Sequence, residues 1–327
     1  MRRRDFIKVI AGSATVWPLV ARAQQQPPNL PTVGFLGSTT LAIQSQQVGA
    51  FVQRLHELGW SEGRNLAIEY RWTEGRPERV AASASEFVNL KVDVIVSGGG
   101  TPTALTAKEA TKSIPIVFID VADPIDSKLV ASLAKPGGNI TGLSNQQVDL
   151  AGKRIEILRE LIPSLHRLGL IGNIGNPAAA LDRREIAAAA EKLGLEFVAP
   201  EFRRAEDLVP AFEALKGRAD ALLVTGDPLT AANRVRIITL ALAARLPTMY
   251  PFRVYVDGGG LISYGANQED EYRHGAEYVD KILRGTNPGT IPVEQPTEFD
   301  LAINLTTAYA LGLTIPGSLR VRAEVIE

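Results

Sequence analysis

Through most of this chain, short apolar segments alternate with longer helical ones, and that alternation constrains the fold more than any other feature. Residues 32–36 read as a strand. A helix follows over 44–58, with Val48, Phe51, Val52, Leu55 and Leu58 at helical spacing. Leu66, Ile68, Tyr70 and Trp72 alternate with Ala67, Glu69 and Arg71, the pattern of a half-buried strand. A helix over 77–90, a strand beginning at Val92, a helix opening at Thr101-Pro102 and a strand over 116–119 complete the first array. Strands separated by helices cannot pair as hairpins. They form an open parallel sheet with right-handed crossovers. After Ser144 the pattern restarts, with helices over 150–161, 177–193 and 205–215 and strands over 167–171, 195–198 and 219–224. A long helix then runs from Pro228 to about Arg245. The expected fold class is α/β, with two doubly wound parallel-sheet lobes.

The stretch 116–144 joins the arrays. Its strand breaks at Asp120 and Asp123-Pro124 into a polar loop. A short helix is expected next, stopped by Lys135-Pro136-Gly137-Gly138-Asn139, and then a strand over 140–144. Polar loops at strand ends beside a chain crossover are where α/β proteins bind ligands. The stretch is therefore expected to line one wall of a cleft and lead into the second lobe.

That stretch, D-P-I-D-S-K-L-V-A-S-L-A-K-P-G-G-N-I-T-G, resembles the central motif of ABC-importer solute-binding proteins of the tryptophan/tyrosine type. E-L-G-W-S-E-G-R-N-L-A-I-E-Y-R-W-T-E-G at 57–75 is similar to the same family. So are G-L-I-S-Y-G at 260–265, Y-V-D-K-I-L-R-G at 278–285 and the segment 293–316. The resemblance implies a type I periplasmic-binding fold whose chain crosses three times between lobes through a multi-strand hinge. Turn composition places the crossings near 143–149, 250–257 and 285–297. Lobe 1 would then hold 32–143 with 257–285, and lobe 2 would hold 149–250 with 297–320. The resemblance also implies an amino-acid-like ligand, aromatic ones included, and an ABC permease in the inner membrane as partner.

The N-terminus bears on the compartment. Arg3-Arg4-Asp5-Phe6-Ile7-Lys8 is a twin-arginine pattern, an apolar run reaches Val20, and Ala21-Arg22-Ala23 forms an A-x-A cleavage site. The apolar run is about a dozen residues where a spanning helix needs about 20. Residues 1–23 are read as a Tat-type signal peptide, leaving a soluble, periplasmic, monomeric protein. The mature chain would hold 30 basic and 35 acidic residues, a net charge of −5, so nucleic acid is not expected as a partner. The chain has no cysteine, which excludes disulfides, thiol catalysis and lipid attachment at a cysteine.

The sharpest local feature is Ser97-Gly98-Gly99-Gly100-Thr101-Pro102. Glycines let backbone amides approach a ligand, and a helix N-terminus favours negative charge. A carboxylate fits there, and a merely tight βα turn accounts for the same residues. Ser38 and Thr39 end the first strand and can donate to a carboxylate or cap a helix. Asp120 and Asp123 can accept from an ammonium, although Asp123-Pro124 also fits a turn. Asn145 and Asp227 are the matching candidates in the second lobe. Tyr264 ends a late strand, and Tyr250, Phe252 and Tyr255 lie near a crossing, where aromatic rings stack on planar ligands or fill cores.

His56, His166 and His274 are scattered. There is no H-E-x-x-H and no G-x-S-x-G, so no enzyme, metal or cofactor is expected. Glu269, Asp270 and Glu271 read as acids opening a solvated helix. An extracytoplasmic sensor subunit is the alternative role, and an enzyme on the same fold is a more remote one.

Overall fold

A computed structural model describes residues 30–327; the signal-peptide reading lies outside them. Residues Pro31–Glu327 form one unit. Its first part contains β1 (Thr32–Gly37), α1 (Ser45–Glu57), β2 (Ala67–Trp72), α2 (Pro77–Leu90), β3 (Val94–Gly98), α3 (Gly100–Ala110), β4 (Ile116–Val121) and β5 (Ile140–Ser144). The second part contains α4 (Ala151–Leu161), β6 (Arg167–Ile171), α5 (Pro177–Lys192), β7 (Glu196–Val198), α6 (Leu208–Leu215) and β8 (Ala221–Val224). It continues with α7 (Pro228–Ala232), α8 (Arg234–Ala243), β9 (Thr248–Tyr250), α9 (Arg253–Asp257) and β10 (Ile262–Gly265). Last come α10 (Gln268–Leu283), β11 (Asp300–Asn304), α11 (Leu305–Ala310), α12 (Gly317–Arg322) and β12 (Glu324–Ile326).

The strands make two sheets. Lobe 1 carries the order β2-β1-β3-β4-β5, all parallel. Lobe 2 carries β12-β11-β10-β9-β8-β6-β7, parallel except where β11 runs against β10. Helices cover both faces of the first sheet, so its central strands are apolar without alternation: β3 is buried at every position. One apolar core joins Val33, Phe35 and Val96 to Phe51 of α1 and to Tyr272, Ala276 and Val279 of α10. On the other sheet face, Ile95 and Phe118 meet Phe87 of α2 and Ala104 of α3.

Five expectations are corrected. The second crossing is not at 250–257. α9 and β10 belong to lobe 2, where β10 pairs with β9 and β11, so the chain crosses at 265–268. After Glu294, which pairs with Leu143, it crosses again toward β11. Lobe 1 therefore keeps 286–294, where Ile291 and Val293 join its cores. Lobe 2 extends through β12, beyond residue 320. The expected helix after Asp123-Pro124 is a run of turns, because the Asp123 carboxylate captures the amides of Ile125 and Asp126 at 2.9 and 2.8 Å. The long helix after Pro228 is two helices, α7 and α8, meeting at Asn233.

The hinge is pinned by backbone pairing. Ser144 donates to Glu294 across 2.9 Å, and Glu294 donates to Gly142 across 3.1 Å. Among the described residues no helix is long and apolar enough to cross a membrane.

Candidate functional site

A cleft opens between the lobes at the C-terminal ends of β1, β3, β4 and β8. Its empty space, open mouth included, is about 690 Å³, within the range of small-molecule sites. Ala122 of lobe 1 packs against Val148 and Ala178 of lobe 2, so the two walls touch.

The lobe 1 wall starts from Ser38, Thr39, Gly99, Gly100 and Thr101. The α3 N-terminus has no side-chain cap, leaving its first amides beside the cleft. Glycine is required here. A Cβ on Gly99 would lie 2.5 Å from Thr103 Oγ1 and 2.7 Å from Ser38 Cβ, and Gly100 adopts φ +71°. Gln44, just before α1, locks the turn. Its Nε2 donates to the Gly98 carbonyl at 2.7 Å and to the Tyr272 hydroxyl at 2.9 Å, and its Oε1 accepts from the Thr39 amide at 3.2 Å. Tyr272 in turn donates to the Gly98 carbonyl at 2.8 Å.

Asp120 ends β4 in a left-handed conformation, φ +64°. Its carboxylate accepts from Asn145 Nδ2 at 2.5 Å and from Gln268 Nε2 at 3.0 Å. Burial raises its pKa to about 6, against those two hydrogen bonds, which lower it. Behind it, Glu271 is 5% exposed and neither of its carboxylate oxygens has a partner. Burial, and then the neighbouring Asp120, hold that carboxyl well above the usual range. The acidic run does open α10, but Glu271 points inward and is not on a solvated face.

The lobe 2 wall is built on Asp227, the N-cap of α7. Its Oδ1 accepts from the amides of Leu229 and Thr230 at 2.8 and 3.2 Å, and Thr230 Oγ1 accepts from the Asp227 amide at 3.1 Å. Burial raises its pKa to about 6 as well, opposed by those amides. Phe252 and Tyr255 present rings to the cleft, and Tyr250 stacks behind Tyr255 with ring centroids 5.1 Å apart. Asn176, Arg234 and Pro228 complete this wall.

Of the residues expected from sequence, Ser38, Thr39, Gly99, Gly100, Thr101, Asp120, Asn145 and Asp227 come together in the cleft. Ser97 and Gly98 do not line it. Ser97 is fully buried in β3, and the Gly98 carbonyl is taken by Gln44 and Tyr272. Asp123 is spent on its turn. Tyr264 packs on Phe299 in lobe 2, with ring centroids 5.9 Å apart, and its carbonyl accepts from Arg154 at 2.8 Å. Sequence reasoning missed Gln44, Gln268, Tyr272 and Arg234. Gln268 and Tyr272 arrive from α10, more than 140 residues after Asp120, and no local pattern announces that contact.

The family described as ABC transporter substrate binding protein matches residues 43–326. A tyrosine-binding protein of Clostridioides difficile strain R20291 is 29% identical over 264 residues, covering 80% of this chain and 75% of that one. The ABC domain from Streptococcus pneumoniae in complex with L-Trp superposes with a TM-score of 0.85 at 25% identity, over 91% of this chain and all of that one. A ligand-free, open substrate-binding protein with adhesive properties from Clostridium difficile gives 0.67 at 26% identity, over 91% and 99% of the two chains. At nearly equal identity, the chain as a whole superposes better on the Trp complex than on the open protein. The two-lobed architecture is the type I periplasmic-binding-protein fold.

Proposed function

The chain belongs to the ABC transporter substrate-binding protein family, and from that premise we propose that it captures an amino-acid-like solute, aromatic ones included, and delivers it to an ABC permease in the inner membrane. The observation that carries the ligand class is the pairing of opposite chemistries across one cleft. Asp120 and Asp227 supply carboxylates for an ammonium, and the uncapped α3 N-terminus supplies amides for a carboxylate. Phe252 and Tyr255 add ring faces for a planar side chain. The tyrosine-binding relative and the Trp complex support the same class.

Closure of the lobes is the mechanism. A ligand touching both walls binds the closed form better than the open one, and that difference in affinity shifts the population. Export under residues 1–23 places the mature monomer in the periplasm, facing the permease.

The test is calorimetric titration of mature protein, unfolded and refolded to remove carried-over ligand, with aromatic and aliphatic amino acids, aromatic acids and small carboxylates. One-to-one binding of an amino acid is expected. Binding of acids alone, with all amino acids inert, would overturn the ligand class while leaving the family membership intact.

A further inference from the structure

Arg234 is the one basic residue among those that line the cleft. Its Nε is shielded from solvent and has no acceptor. Among the described residues it enters no ion pair, although Asp227 stands in the same wall. Asp227 accepts from the amides of Leu229, Thr230 and Asn173 and not from Arg234. Arg234 is also the first residue of α8, where the helix dipole disfavours a cation. A half-buried guanidinium without a counter-charge costs stability.

We propose that Arg234 is the anion-recognising group of the cleft, and that the ligand presents a carboxylate to it. The guanidinium is a planar fork of donors that matches a carboxylate with two parallel hydrogen bonds, which a lysine ammonium cannot reproduce. The contact comes from lobe 2, whereas the α3 amides come from lobe 1. A carboxylate is therefore recognised from both walls, and an otherwise identical amine lacking it is rejected because the guanidinium stays unpaired. This deepens the amino-acid reading and rests on the cleft being the ligand site.

The experiment titrates refolded wild type, R234Q and R234K with L-tyrosine, L-tryptophan, their decarboxylated amines tyramine and tryptamine, and 4-hydroxyphenylacetate. Wild type is expected to prefer carboxylate-bearing compounds to the amines. R234Q is expected to lose about 10- to 100-fold in affinity for the carboxylate compounds and little for the amines, so that the preference collapses. R234K should fall between. Melting curves check that the variants fold; if R234Q melts early, R234K carries the comparison.

The proposal is overturned if R234Q keeps the wild-type preference, if wild type binds the amines as tightly as the acids, or if wild type binds no carboxylate compound. Binding of 4-hydroxyphenylacetate but of neither amino acid, weakened in R234Q, would sink the amino-acid reading and support Arg234.

Discussion

Asp120 and Asp227 face the same cleft from opposite lobes, and burial raises both to a pKa of about 6. Their supports differ in kind. Asp227 is held by backbone amides, those of Leu229 and Thr230 in the first turn of its own helix and that of Asn173 in the same lobe. Asp120 is held by two side chains from the hinge, Asn145 just after the first crossing and Gln268 just after the second. One carboxylate is thus a local cap that stays in place whatever the lobes do. The other is held by side chains that arrive from beside two of the chain crossings. The difference separates a carboxylate fixed by nearby backbone from one fixed by side chains distant in sequence.

The largest expected effect tests the hinge-linked acid. Asp120→Asn keeps the shape and loses the charge, and should weaken an ammonium-bearing ligand about 10- to 100-fold in calorimetry. Its unfolding free energy at pH 7 should not fall, because a buried charge has been removed. Loss of stability with unchanged affinity would reverse the roles assigned to the two acids.

The next effect is on pH. If ammonium binding needs ionised carboxylates, affinity should drop as pH falls through about 6, by up to about tenfold per unit for each carboxylate required. Stability of the empty protein should move the other way. Acids whose folded pKa lies above the unfolded value near 3.8, as for Asp120, Asp182 and Asp227, bind protons more tightly when folded. Their contribution is full below about pH 4 and lost above about 6. Melting temperature against pH, with and without ligand, should give two trends of opposite sign over that window; parallel trends would mean these acids stay uncharged in the complex.

Asp227→Ala should cost about 1 kcal/mol in urea unfolding through loss of the cap, and Asp227→Asn much less, since asparagine caps equally well. Equal losses for both would show that charge, and not capping, is what Asp227 supplies. The smallest effect is expected at Glu271. Glu271→Gln removes a buried carboxyl that has no partner, so its melting temperature should depend less on pH than that of wild type, with no decrease at pH 8. A lower melting temperature at pH 8 would mean that the Glu271 charge is satisfied in solution.

Particular residues show where sequence reading succeeds. Gly99-Gly100-Thr101, Ser38-Thr39 and Asp227 were legible because a turn, a strand end and a helix cap each leave a signal within a few residues. The acids at 269–271 were read as opening a helix, and α10 begins there. The expected bounds of lobe 1 took in α10, which packs there, and also β10, which precedes the crossing and pairs in the lobe 2 sheet. Asp123 and Tyr264 do not line the cleft. A strand end near a crossover names several candidates, and only packing decides which of them face the cleft.

The alternation of strands and helices through most of the chain, the absence of cysteine and the family membership follow from the sequence by itself, because periodicity and short motifs act over one or two turns of chain. The tertiary structure alone decided that Gln268 reaches Asp120, that Glu271 is buried without a partner, and that Arg234 lies in the cleft with its charge unanswered. These depend on which distant segments exclude water from one another, a property of the folded surface that no local stretch of residues encodes.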